Sequence, residues 1–194
     1  MRAFLAVELP SRVRESFAQV REQFPREPGW RWVKPETLHL TLRFLGEVDT
    51  PFVEELHRRT REFSSSHPSS ELQFGDLGTF GPRRAPRTFW IAIEESPLLA
   101  NAQGAVEEIV RDLGVKPDNK AWSPHVTLAR RSRSAGDVPS DLSQIDALRA
   151  LVGVEIHWSR IVLLESHLLP EGPQYREVWE APFRPLAEGG SEGV

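Results

Sequence analysis

A chain of 194 residues with 39% apolar and 27% charged side chains can build one domain, or two small, closely packed lobes, and stay in solution. No apolar run reaches bilayer length, no basic-then-apolar leader opens the sequence, and the lack of cysteine excludes disulfides and thiolate metal sites and fits a reducing cytoplasm. A net charge of −4 argues against a non-specific nucleic-acid coat but leaves room for a local basic cleft, and the bias of 21 Arg over 3 Lys is read as composition.

In chain order, residues 2–9 read as a strand ended by Pro10. Ser11 then opens a helix with Val13, Phe17, Val20 and Phe24 at helical spacing, broken by Pro25 and by Pro28-Gly29. A short strand over 31–33 and a Lys34-Pro35-Glu36 turn precede a strand that carries His39 and runs to Leu45, with Gly46 as its stop. Thr50-Pro51 starts a second helix by the cap-then-proline rule, with Phe52, Val53, Leu56 and Phe63 inward. Residues 64–70 read as a polar loop, 71–74 as a strand, and Gly75, Gly78 and Gly81 as a glycine-rich bend.

Residues 88–93 form a buried strand. Ser96-Pro97 caps a helix with Leu98, Ala102, Val106, Ile109 and Leu113 inward and Gly114 as its stop. A polar loop over 116–120 leads into the strand that carries His125. A flexible connector at 133–139 precedes a short helix with Leu142, Ile145, Leu148 and Val152 inward. Strands at 154–158, 161–164 and 175–183 close the fold. The tail 186–194 has nothing to bury and is expected to be disordered, which leaves 1–185 as a single bilobal domain.

Several strands are too close in sequence for crossover helices, so the fold class is α+β with mostly antiparallel sheets. Each half carries one His-x-Thr strand and two amphipathic helices. Two similar lobes related by a pseudo-two-fold, with flanking helices and a central groove between them, are the expected architecture.

The two motifs are Leu38-His39-Leu40-Thr41-Leu42 and Pro124-His125-Val126-Thr127-Leu128. With 6 His and 7 Thr, chance predicts roughly 0.2 His-x-Thr triplets, so two of them, each followed by Leu in a strand-like run, carry weight. Alternation puts His39 with Thr41, and His125 with Thr127, on one face of each strand while the aliphatic residues anchor the other. Opposed imidazoles suit in-line displacement at phosphorus: one takes a proton from water and the other protonates the leaving oxygen. The threonine hydroxyls hold the non-bridging oxygens. No metal-ligand spacing, phosphate-binding glycine loop or nucleophile elbow occurs, and neither metal nor cofactor is expected. Arg130 stands three residues after Thr127, so it enters the groove only if the strand bends after Leu128; a solvated surface arginine fits the spacing as well. Arg83, Arg84 and Arg87 are read as a solvated basic loop able to track a ribose-phosphate backbone. Trp32 and Phe44 are candidate base platforms that also suit a core. His57, His67, His157 and His167 lack a paired threonine and are read as surface or structural.

Together these residues resemble the 2H phosphoesterase superfamily, and within it the RNA 2′,3′-cyclic phosphodiesterase family, also named after 2′-5′ RNA ligase activity. The likeness runs in order from Phe4-Leu5-Ala6-Val7 through Trp32-Val33 and both motifs. It takes in Gly78-Thr79-Phe80 with Pro86 and Trp90, then Leu164-Glu165-Ser166 with Gly172 and Tyr175. The resemblance implies hydrolysis of an RNA 2′,3′-cyclic phosphate end, tRNA fragments among the candidates, to a 2′-phosphate by a cytoplasmic, monomeric enzyme. It implies His39 as proton donor, His125 as proton acceptor, and Thr41, Thr127 and Arg130 on the phosphate. The reverse joining reaction, through a 2′-5′ linkage, would use the same residues. An RNA-end binding module without turnover is the reading from a different class.

Overall fold

The pattern of alternating apolar residues resolves, in a computed structural model, into a sheet with helices on one face. The structure describes residues 1–22, 29–82, 85–118, 121–131, 146–170 and 172–185. Phe24, Pro25, Pro28, Arg83, Arg84, Lys120, Leu142, Ile145, the connector 133–139 and the tail 186–194 lie outside the described residues. The strands are β1 (Arg2–Glu8), β2 (Trp30–Trp32), β3 (His39–Glu47), β4 (Ser70–Phe80), β5 (Thr88–Ile93), β6 (His125–Arg131), β7 (Glu155–Trp158), β8 (Arg160–Leu169) and β9 (Gly172–Pro182). The helices are α1 (Ser11–Glu22), α2 (Thr50–Ser66), α3 (Pro97–Asp112) and the short α4 (Asp146–Arg149), with a 3₁₀ turn at Pro35–Thr37.

Hydrogen-bonded neighbours run β7-β4-β5-β6-β3-β1-β8-β9, with β2 added to β6, and every strand pair is antiparallel. The two motif strands meet in the middle, where a single residue pair, Leu40 opposite Val126, joins them. The two antiparallel sheets expected from the sequence are therefore continuous through a waist one pair wide. Strand order is matched about this waist: β3-β1-β8-β9 on one side, β6-β5-β4-β7 on the other.

The main core lies between the sheet and the helices. Leu5, Leu40, Leu56, Ile91, Leu99, Val106, Val126 and Trp158 are all 1% exposed or less, and each such burial contributes about 1.5–3 kcal/mol. Strand β1 is covered on both faces. Its Leu5 and Val7 join the main core, while Phe4 and Ala6 form a smaller cluster with Val162, Leu164 and Tyr175 on the opposite face. That explains why 2–9 reads as a continuous apolar run rather than an alternation.

Several boundaries differ from the sequence reading. The N-cap of α2 is Asp49, one residue earlier than expected, whose carboxylate accepts the Phe52 amide at 3.0 Å, and Thr50 is already helical. Helix α2 also continues through the serines 64–66, whose hydroxyls donate to carbonyls three residues back, so the polar side chains are satisfied within the helix. Gly75 and Gly78 do not form a bend. They lie inside β4, which spans 11 residues and shifts register against β5 between Phe74 and Leu77. Only Gly81, at φ +108°, turns the chain. The fully buried face of α3 is Leu99, Ala102, Val106 and Val110: Ala102 and Val106 are as expected, Ile109 and Leu113 pack at its margin, Leu99 takes the place of Leu98, and Val152 is exposed at 39%. Among the described residues, no helix is long and apolar enough to cross a membrane.

Candidate active site

The pairing of Leu40 with Val126 builds the site. In an antiparallel register it places His39 across from Thr127 and Thr41 across from His125, all on the face opposite Leu40 and Val126. The two segments expected to meet do meet, and His39, Thr41, His125, Thr127 and Arg130 line one open cavity of about 890 Å³. The pairing extends sideways into two rows: Glu8, His39, Thr127, Trp90 and Gly78 in one, and Ala6, Thr41, His125 and Ala92 in the other.

Both imidazoles are anchored in the same way. The Nδ1 of His39 lies 2.7 Å from the Thr37 carbonyl, and that of His125 lies 2.8 Å from the Ser123 carbonyl. A carbonyl only accepts, so each Nδ1 carries the proton, which leaves each Nε2 to take or give one in the groove. Rings pack around them: Phe4 at 4.9 Å and Tyr175 edge-on at 5.1 Å against His39, and Phe80 edge-on at 4.8 Å against His125.

This packing sets the electrostatics. Desolvation lowers the His39 pKa from 6.5 to about 4; Arg130 and His125 push the same way, against the Thr37 hydrogen bond and Glu8. His125 is lowered as well, by desolvation first and by Arg130, against the Ser123 hydrogen bond. Burial raises the Tyr175 phenol despite Arg130. Both imidazoles are therefore mostly neutral at pH 7.

Arg130 reaches the groove by the bend the sequence requires. Leu128 and Ala129 are both buried, and the β5–β6 register shifts between Phe89 and Trp90, so Arg130 returns to the side of Thr127. The first motif strand does the same: Leu42 and Arg43 are both buried, β1 shifts register between Leu5 and Ala6, and Phe44 emerges 60% exposed into the cavity. Phe44 thus occupies on β3 the place Arg130 holds on β6.

Two residues hold this arrangement from behind. The Trp122 indole donates to the Thr41 carbonyl at 3.0 Å, and buried Arg43 ion-pairs at 3.2 Å with both Glu107 of α3 and Asp118. Neither role is visible from spacing. Spacing does not single out Phe80 and Tyr175 for the groove either; the family resemblance includes both without giving them a role, and Tyr175 is the sole tyrosine in the chain. Trp32 borders the groove but packs on Phe17 and Phe89. His67 is buried among Phe63, Trp158 and Phe183, and His57 stacks on Trp179 at 4.8 Å, both structural. His157 and His167 pair with Glu71 and Glu165. Among the described residues no three acidic or histidine side chains converge as metal ligands.

Comparison with known proteins gives a consistent result. The profile of the family described as LigT like Phosphoesterase matches residues 7–90. The chain is 31% identical over 180 residues to the RNA 2′,3′-cyclic phosphodiesterase of Thermus thermophilus, covering 90% of this chain and 86% of that one. It is 29% identical over 195 residues to the Thermotoga maritima protein of the same name, covering 98% and 97%. Among solved structures, TT0787 of Thermus thermophilus superposes with a TM-score of 0.79 at 28% identity, over 95% of this chain and 99% of that one. LigT of E. coli complexed with 3′-AMP does so at 0.73 and 25%, over 94% and 97%.

Proposed function

We propose how an RNA 2′,3′-cyclic phosphodiesterase of the LigT-like phosphoesterase family, to which this chain belongs, uses these groups. The cyclic phosphate sits between the two motif strands, its non-bridging oxygens on the Thr41 and Thr127 hydroxyls and on Arg130. The Nε2 of His125 removes a proton from water as the water oxygen bonds to phosphorus. The P–O3′ bond breaks, and O3′ takes a proton from the Nε2 of His39, leaving a 2′-phosphate. The observation that carries this reading is the pair of Nδ1-anchored imidazoles facing one cavity with the threonines across from them. We place the enzyme in the cytoplasm as a monomer, with tRNA fragments among its substrates.

The test is a short RNA with a cyclic phosphate end, incubated with the protein and a chelator. A 2′-phosphate end is the expected product. A 3′-phosphate would overturn the attack geometry, and strict metal dependence would overturn the two-histidine chemistry. Joining of RNA ends through a 2′-5′ linkage would use the same groups with a 5′-hydroxyl attacking phosphorus in place of water, and should appear only where that hydroxyl is concentrated enough to compete with water.

The depressed pKa of His39 has a consequence for a proton donor. The bound phosphate adds negative charge beside the ring and offsets Arg130, which favours the imidazolium and raises the pKa above its free value of about 4. The pH profile of kcat/KM, which reports the free enzyme, should therefore peak below pH 6.5, between the two lowered values. The profile of kcat should peak at higher pH. Coincident optima would show that substrate does not protonate His39.

A further inference from the structure

The catalytic groove has two ends of opposite character. Beyond Phe44 it is walled by Trp122 and by Arg43 with the two carboxylates that outnumber it, Glu107 and Asp118. Beyond His39 and Thr127 it opens into a side cavity of about 190 Å³ lined by Arg21, Arg31, Lys34 and Arg130, with no carboxylate among the described residues of its wall. We propose that this side cavity binds the phosphodiester on the 5′ oxygen of the terminal nucleotide, so that the enzyme reads the end of a polynucleotide rather than an isolated cyclic phosphate. The proposal rests on the hydrolase reading above.

Three observations support it. Arg31 on β2 lies directly across from Arg130 on β6, and both line the cavity. Like charges opposite one another destabilise a strand pair unless an anion lies between them, and neither arginine is ion-paired among the described residues. The cavity is also smaller than the roughly 300 Å³ at which small-molecule pockets begin, so a phosphate group suits it better than a nucleoside. Finally, the two sites share walls: His39, Thr127 and Arg130 line both cavities. In an RNA with a cyclic phosphate end, the nearest other anion is one ribose away, on the 5′ oxygen. The Phe44 end, with two carboxylates against the one guanidinium of Arg43, does not attract that anion, while the cations at the His39 end do. The chain therefore leaves over Arg31 and Lys34.

The test compares adenosine 2′-phosphate with adenosine 2′,5′-bisphosphate by calorimetry, and the matching cyclic phosphates with and without a 5′-phosphate by turnover. The intact protein should bind the bisphosphate about tenfold more tightly at low salt, as one or two charge-assisted contacts provide. That ratio should shrink as salt rises, and it should approach one in the Arg31→Gln, Lys34→Gln double variant. Equal binding of the two ligands by the intact protein, or an unchanged ratio in the double variant, would overturn the subsite while leaving hydrolysis standing. Loss of turnover on both cyclic phosphates with the binding ratio intact would instead overturn the hydrolase reading and uphold the anion site.

Discussion

Replacing His125 with Ala should lower kcat on a cyclic-phosphate RNA by about 10²–10⁴-fold, and replacing His39 should do the same, which is the usual cost of losing a general base or acid. In barrier terms this is about 3–5 kcal/mol. Neither loss should unfold the protein, because both rings sit at a cavity wall rather than in the main core. The two variants become distinguishable on a substrate with a leaving group that needs no proton, such as bis(4-nitrophenyl) phosphate. There His39→Ala should recover most of its loss, whereas His125→Ala, still lacking the base, should not. Recovery by His125→Ala alone would exchange the two roles, since both rings are held by the same kind of backbone contact. Near-full activity of either variant on RNA would overturn the two-histidine chemistry.

The histidines and threonines were legible because strand alternation has a fixed period. Once the motif was seen twice, the facing side chains followed from the pleat. One helix cap was legible as well: Ser96 accepts the Leu99 amide at 3.2 Å, as a residue placed before Pro97 should, whereas the same rule chose Thr50 for α2 and the cap is Asp49. Departures from the period were harder to read. Alternation turns Arg130 away from the groove, and only the bulge at Leu128-Ala129 brings it back. The matching bulge at Leu42-Arg43 presents Phe44 to the same groove. A bulge is set by how neighbouring strands pair, which adjacent residues do not encode. The glycines of β4 show the same gap from the other side. Gly75 and Gly78 carry a local preference for turns, yet Gly78 pairs with Trp90 of β5 and Gly75 falls in the register shift between Phe74 and Leu77, so both stay within the strand. The Arg43 ion pairs join residues 64 or more positions apart in the sequence, and spacing says nothing about such contacts.

Gly78 should prove as sensitive as a residue that touches substrate. It pairs with Trp90, Trp90 pairs with Thr127, and the indole folds back so that its six-membered ring lies over the glycine. A Cβ at position 78 would fall 2.3 Å from two ring carbons and 2.8 Å from a third, distances that no side chain tolerates. The indole must move, and its neighbours are Phe80 at 5.1 Å and His125 at 6.1 Å. Gly78→Ala should therefore destabilise the fold by about 1–3 kcal/mol through overpacking. It should also lower kcat by about 10²-fold, because a shift of about 1 Å in a catalytic group is enough for that. KM should change less, since of the three proposed phosphate contacts only Thr127 pairs with Trp90, while Thr41 and Arg130 do not. Gly104→Ala is the control: that glycine lies mid-helix in α3 with nothing within 4 Å of an added Cβ, so it should keep activity and gain about 0.5–1 kcal/mol in urea unfolding. The decisive variant is the double substitution Gly78→Ala with Trp90→Phe, in which a smaller ring makes room for the new methyl group. If the displaced indole is the cause, the double variant recovers kcat relative to Gly78→Ala alone. If the methyl group acts on the strand itself, removing the indole deepens the loss.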